Sequence, residues 1–225
     1  MPFVNGGVVT SFNHGVVPPN VSGDLGFAAN GSPTIQTAGG RQGSNALRCT
    51  SSASTVNVTM QRAMNSSSAP SNVGRPTWSF YFRFVTKPGS GTVTFATATA
   101  SAGSTCSLQL NTTSGFIELI IGSGTAATTS VNPTTSSWYR ADLIYRLDLN
   151  PRTASLNITL DGASAYAGQA TATGPSEAAT TSRWLALGSL SSSTMTVEFA
   201  DILGSFGASG SDGDFRSCPR ARIIA

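Results

Sequence analysis

The sequence predicts an all-β chain folded as an antiparallel two-sheet β-sandwich, and three observations carry that reading. Gly, Ser, Thr and Ala dominate, while charged residues make up only 10% of the 225 positions. Thr and branched apolar residues suit pleated strands, and Gly and Ser suit turns. Runs of period-two alternation recur at a spacing of roughly 8–12 residues, the interval of sandwiches and barrels. No segment shows a 3.6-residue period and no repeat of fixed length occurs, which argues against helical, propeller or β-helix architectures. A chain of this length buries roughly 70% of its unfolded surface and folds without a metal or disulfide staple.

The clearest element is a long hairpin from Trp138 to Gly162. Tyr139, Ala141, Leu143, Tyr145, Leu147 and Leu149 share one face; Trp138, Arg140, Asp142, Ile144, Arg146 and Asp148 share the other. After the turn signal Asn150-Pro151-Arg152, Ala154, Leu156, Ile158 and Leu160 alternate with Ser155, Asn157, Thr159 and Asp161. Such alternation places one set in the core and the other outside. Trp78-Ser79-Phe80-Tyr81-Phe82-Arg83-Phe84 carries the heaviest apolar load and is expected at the centre of a sheet.

Ahead of it, an opening strand is expected near Val8–Asn13, short strands around Phe27 and Ile35, and strands after the Gly-rich turn at 39–45 and over Ser54–Gln61. Behind it follow Thr92–Ala98, Cys106–Leu110 and Gly115–Ile121. The Ala/Thr-rich stretch 162–182 reads as irregular. Arg183–Gly188 and Met195–Leu203 supply the last strands. The composition changes near Gly204, so residues 1–203 are expected to form the sandwich and 204–225 a linker and extended C-terminal tail.

The ordered motifs G-x-x-G-x-x-A-L-R, W-S-F-Y-F-R-F, W-Y-R-A-D-L-I-Y, L-N-I-T-L-D-G and V-E-F-A-D-I-L together resemble the concanavalin A-like (laminin G or pentraxin-like) jelly roll of lectins and glucanases. The resemblance is specifically to versions found in tailed-phage virion proteins. It implies two curved, stacked sheets, with glycan or protein contacts at the concave face or the rim loops. It also implies a structural, non-enzymatic role in a phage tail or capsid decoration, with other virion proteins and copies of the chain as partners. A carbohydrate-binding module for host glycans is the first rival reading. Many relatives carry a paired Asp-Asp in the last strand, and Ala200-Asp201 stands in its place here, so a calcium-linked role is not expected there.

Chemistry-bearing sets are sparse. A glycan-cleaving enzyme, the second rival, needs two carboxylates about 5–5.5 Å apart for the retaining route. Glu118, Glu177 and Glu198 have no acid at i+2 or i+4, and Glu198 and Asp201 face opposite ways unless a bulge intervenes. His14 is the sole histidine and no G-x-S-x-G elbow accompanies it. Asp212 and Asp214 carry oxygens of the kind calcium takes, set in a Gly-rich loop that also reads as a solvated turn; no other cofactor is expected. Trp138, on the polar face of its strand, and Arg140 beside it are the candidate carbohydrate contacts, with packing under a loop the alternative for Trp138.

The formal net charge of +3 comes from scattered arginines and a single lysine, Lys87. Without a basic stripe, direct nucleic-acid binding is not expected. No apolar run approaches the roughly 20 residues that span a bilayer, and the N-terminus lacks a signal-peptide pattern. Synthesis in a host cytoplasm without membrane insertion is therefore expected, and the resemblance implies assembly into a virion. Cys49, Cys106 and Cys218 are all expected as free thiols, Cys49 and Cys106 buried, although a bridge between those two is open. Arg220, Arg222, Ile223 and Ile224 end the tail with a basic and apolar patch, expected to dock on a neighbouring subunit rather than on the chain's own sandwich.

Overall fold

The computed structural model describes residues 7–10, 26–52, 54–61, 75–100, 102–178 and 182–207. The expected positions His14, Asp212, Asp214, Cys218, Arg220, Arg222, Ile223 and Ile224 lie outside the described residues.

Among the described residues, fifteen strands form two antiparallel sheets. They are β1 (Gly7–Thr10), β2 (Gly26–Asn30), β3 (Thr34–Gln36), β4 (Ala46–Ser51), β5 (Val56–Gln61), β6 (Arg75–Thr86), β7 (Thr92–Ala100) and β8 (Cys106–Asn111). They continue with β9 (Ile117–Ile121), β10 (Ala127–Thr128), β11 (Tyr139–Arg146), β12 (Thr153–Leu160), β13 (Gly168–Thr173), β14 (Ser182–Ser189) and β15 (Met195–Gly207). The first sheet runs β13-β12-β11-β6-β15-β4-β3 with β1 added beside β15; the second runs β10-β9-β8-β7-β14-β5-β2. No helix among the described residues is long and apolar enough to cross a membrane.

The aromatic strand β6 lies in the middle of the first sheet, between β11 and β15. Phe80, Phe82 and Phe84 are fully buried on its inner face and meet Phe95 of the second sheet and Phe199 of β15. Gly204 of β15 is fixed by close approach, since a Cβ there would stand 2.3 Å from the Trp78 ring. The hairpin pairs Tyr139 with Leu160 through Arg146 with Thr153, and Leu143, Tyr145, Leu156 and Ile158 are buried as the alternation requires. Its two ends depart from the pattern: Leu149 and Leu160 are exposed because the sheet ends there.

Three further expectations are corrected. The stretch 162–182 contains β13, an edge strand whose short Ala and Thr side chains give too weak a pattern to read. The last strand continues past Leu203 through Gly207, because β1 and β6 both pair with its extension. Trp138 is on the outer face as its parity requires but is only 9% exposed. It packs in a small cluster with Ala46, Ala200 and Tyr81 rather than standing in solvent. Cys49 and Cys106 are buried free thiols; burial raises both, Cys49 to about 12.

Candidate functional site

The outer face of the eight-stranded sheet gathers most of the charge among the described residues. Register sets Arg48 of β4 against Glu198 of β15, and Glu198 against Arg83 of β6. Trp138 falls one position before the Tyr139–Phe82 pair, so it continues the same row. Arg48 donates from Nε and Nη2 to Glu198 Oε1 at 2.8 and 2.5 Å. Arg83 donates to Oε2 from Nε at 2.9 Å and also from Nη2. The Arg83 guanidinium also lies over the Trp138 ring, 4.8 Å from its centroid. Glu198 is fully buried, and two charge-assisted forks satisfy both of its oxygens.

A bulge interrupts β15 between Ala200 and Leu203, with Asp201 at φ 47°. It carries the Asp201 carboxylate to Arg41, which donates from Nη1 to Asp201 at 3.4 Å and from Nε to Asp161 at 2.8 Å. Arg41 comes from the loop between β3 and β4, and its guanidinium carbon sits 4.3 Å from the Tyr81 ring centroid. The bulge that sequence reasoning left open therefore exists. It leads to no pair of free carboxylates, since arginines occupy Glu198 and Asp201 separately.

Beyond this cluster the same face becomes a lattice of hydrogen-bonding side chains. Ser79, Asp142, Asn157 and Gln169 lie opposite one another across β6, β11, β12 and β13. Gln169 donates to Asn157 Oδ1 at 2.7 Å. Arg140 donates from Nε to Asp142 Oδ2 at 3.0 Å. Arg140 stands beside Tyr81 on one side and Thr159 on the other, and the Thr159 hydroxyl is buried without a hydrogen-bond partner among the described residues. Farther along, Asp148 accepts from Arg146 and Arg75. Burial opposes ionisation of Asp148, but these two hydrogen bonds outweigh it and hold the carboxyl below its usual range.

Arg140 thus joins the polar lattice, whereas Trp138 belongs to the covered cluster. Tyr81, Asp142, Asn157 and Gln169 were not singled out from sequence; their shared outward parity was readable, but the order of their strands was not. A different cluster pins the loops at the turn of the hairpin. Arg152 is 1% exposed, pairs with Glu177 at 2.7 Å and donates to Ala178 O at 2.9 Å. Hydrogen bonds from the Ser104 amide and hydroxyl, with Arg152 nearby, hold Glu177 below the usual carboxylate range. A shallow depression of about 420 Å³ among Ser52, Pro88, Ser90, Ser192 and Thr194 offers hydroxyls and no charge. No group of three or more His, Cys, Asp or Glu side chains placed to hold a metal occurs among the described residues.

Solved structures share this two-sheet fold. Lectin II from Ulex europaeus superposes with a TM-score of 0.51 at 13% identity, covering 88% of this chain and 97% of the lectin. This is a concanavalin A-like, lectin-like β-sandwich. The binding domain of botulinum neurotoxin DC in complex with SialylT gives 0.51 at 10% identity, over 82% of this chain and 43% of that one. An endo-β-1,4-glucuronan lyase from the fungus Trichoderma reesei gives 0.50 at 9% identity, over 80% and 90%. No family model and no curated protein matches the sequence.

Proposed function

We propose that this chain is a non-enzymatic glycan-binding module whose site is the outer face of the eight-stranded sheet. The row Ser79–Asp142–Asn157–Gln169 carries the reading. It sets donors and acceptors side by side at the strand spacing of about 4.8 Å, a polar row broad enough to meet several hydroxyls of one sugar ring or of neighbouring rings. Exposure leaves these groups accessible, while the Gln169–Asn157 hydrogen bond and the Arg140–Asp142 pair limit their reorganisation on binding. The fold likeness to lectins is compatible with this reading and does not by itself name a ligand. Binding rather than hydrolysis is supported by Glu198 and Asp201, because arginines occupy their carboxylate oxygens instead of leaving a free pair to face a substrate.

The setting on a phage particle, with other virion proteins or copies of the chain as partners, rests on the sequence resemblance alone. Glycan binding does not depend on it. An array of neutral and acidic oligosaccharides is the direct test. The wild-type protein is expected to retain at least one glycan class, and Asp142→Ala with Asn157→Ala is expected to abolish that retention without unfolding the protein. Release of reducing sugar or of unsaturated products from any bound glycan would overturn the non-enzymatic assignment.

A further inference from the structure

We propose that the Tyr81 ring is a pyranose-stacking subsite of this face and that the 37–45 loop, latched by Arg41, covers it; the inference rests on the glycan-binding reading above. Tyr81 stands opposite Arg140, one row from the Asp142 lattice, so a sugar on its ring would be continuous with sugars on that row. The position over the ring is taken by the Arg41 guanidinium at 4.3 Å, where the apolar face of a pyranose would stack.

The latch is built to release. Arg41 is 23% exposed and its two partners, Asp161 and Asp201, are each 27% exposed, so water and salt weaken both pairs. Hydrogen bonds within the loop join Gly40 N–H to Ser44 O at 2.7 Å, Ser44 N–H and Oγ to Arg41 O at 3.1 and 2.7 Å, and Ala38 N–H to Asn45 Oδ1 at 3.3 Å. These bonds hold the loop together as a unit. A further tether, Arg83 Nη2 to Gly39 O at 2.8 Å, comes from a side chain that Glu198 holds independently. When Arg41 leaves, an aromatic face and two carboxylate acceptors are uncovered together. Those acceptors bind sugar hydroxyls and repel acidic groups, so the geometry points to a neutral hexopyranose.

Two measurements on Arg41→Ala test this. Without sugar, hydrogen exchange at Gly40 and Ser44 should speed up about fivefold, the scale of an exposed ion pair, while β6 amides stay protected; unchanged loop exchange overturns the latch. For a neutral oligosaccharide retained on the array, the variant should bind about fivefold tighter and lose the rise in affinity with salt seen in wild type. Adding Tyr81→Ala should cancel that gain. Weaker or unchanged binding by Arg41→Ala, with wild-type binding intact, removes the subsite alone. Failure of both proteins to bind any glycan, even with the loop opened, removes the glycan reading and the subsite with it.

Discussion

Arg83 joins Glu198 and Trp138 in one row: its guanidinium donates to the buried carboxylate and lies 4.8 Å from the indole centroid. Arg48 serves the other oxygen of the same carboxylate. Removing Glu198 leaves two arginines without their acceptor, but both are partly exposed, at 31% and 23%, and can rehydrate. Glu198→Ala is therefore expected to cost about 2–3 kcal/mol, near the low end for a broken buried pair. Arg48→Ala leaves Glu198 paired with Arg83 and should cost about 1 kcal/mol. Urea melts of the two variants check the order, and a larger loss for Arg48→Ala would refute it.

In the hairpin, Leu156 is fully buried opposite Leu143, while Asn157 is half-buried on the outer face. Leu156→Ala should cost about 2–5 kcal/mol as a truncated core side chain. Asn157→Ala should stay within about 0.5 kcal/mol. Equal losses in denaturant melts would contradict the register.

Glu177 supplies a pH dependence. Its carboxyl lies below the usual range because the Ser104 amide and hydroxyl, with Arg152, favour the ionised form. A depressed folded value means the unfolded chain binds more protons around pH 4, so stability rises with pH there. The contribution is present above the unfolded value of about 4.3 and is lost as pH falls through the folded one. Glu177→Gln should therefore be less stable than wild type near neutrality, with the gap closing in acid. A gap that stays constant down to pH 2 would contradict the assignment.

The thiols offer a chemical check. Cys49 and Cys106 are buried and free, and burial pushes both above the ordinary thiol range. A thiol held protonated is a poor nucleophile. Neither should react with a thiol reagent in the native protein, and both should titrate as free groups after denaturation without reductant. Loss of two groups from the denatured count would reveal a bridge.

The sandwich class, the central place of β6 and the hairpin register were legible because large alternating side chains dominate β6, β11, β12 and β15. What escaped was non-local. Glu198 stands in an apolar run, and nothing in its neighbourhood reveals that Arg48, 150 residues earlier, lies across the ladder. Trp138 has the parity of a surface residue and is covered by side chains from β4, β6 and β15. Arg152 looks like a turn residue, yet its burial comes from the 177–178 loop folding back. β13 was missed because Ala and Thr differ too little in hydrophobicity to mark its faces.

The central claim, that sugars bind the outer face of the eight-stranded sheet, is tested most directly by mapping. An oligosaccharide retained on the array would be titrated into isotope-labelled protein while amide and side-chain NMR signals are followed. The account predicts shifts concentrated at Ser79, Tyr81, Arg140, Asp142, Asn157 and Gln169, including the side-chain amides of the last two. Shifts confined to β7, β8 and β9 of the opposite sheet, with these six unmoved, would contradict it.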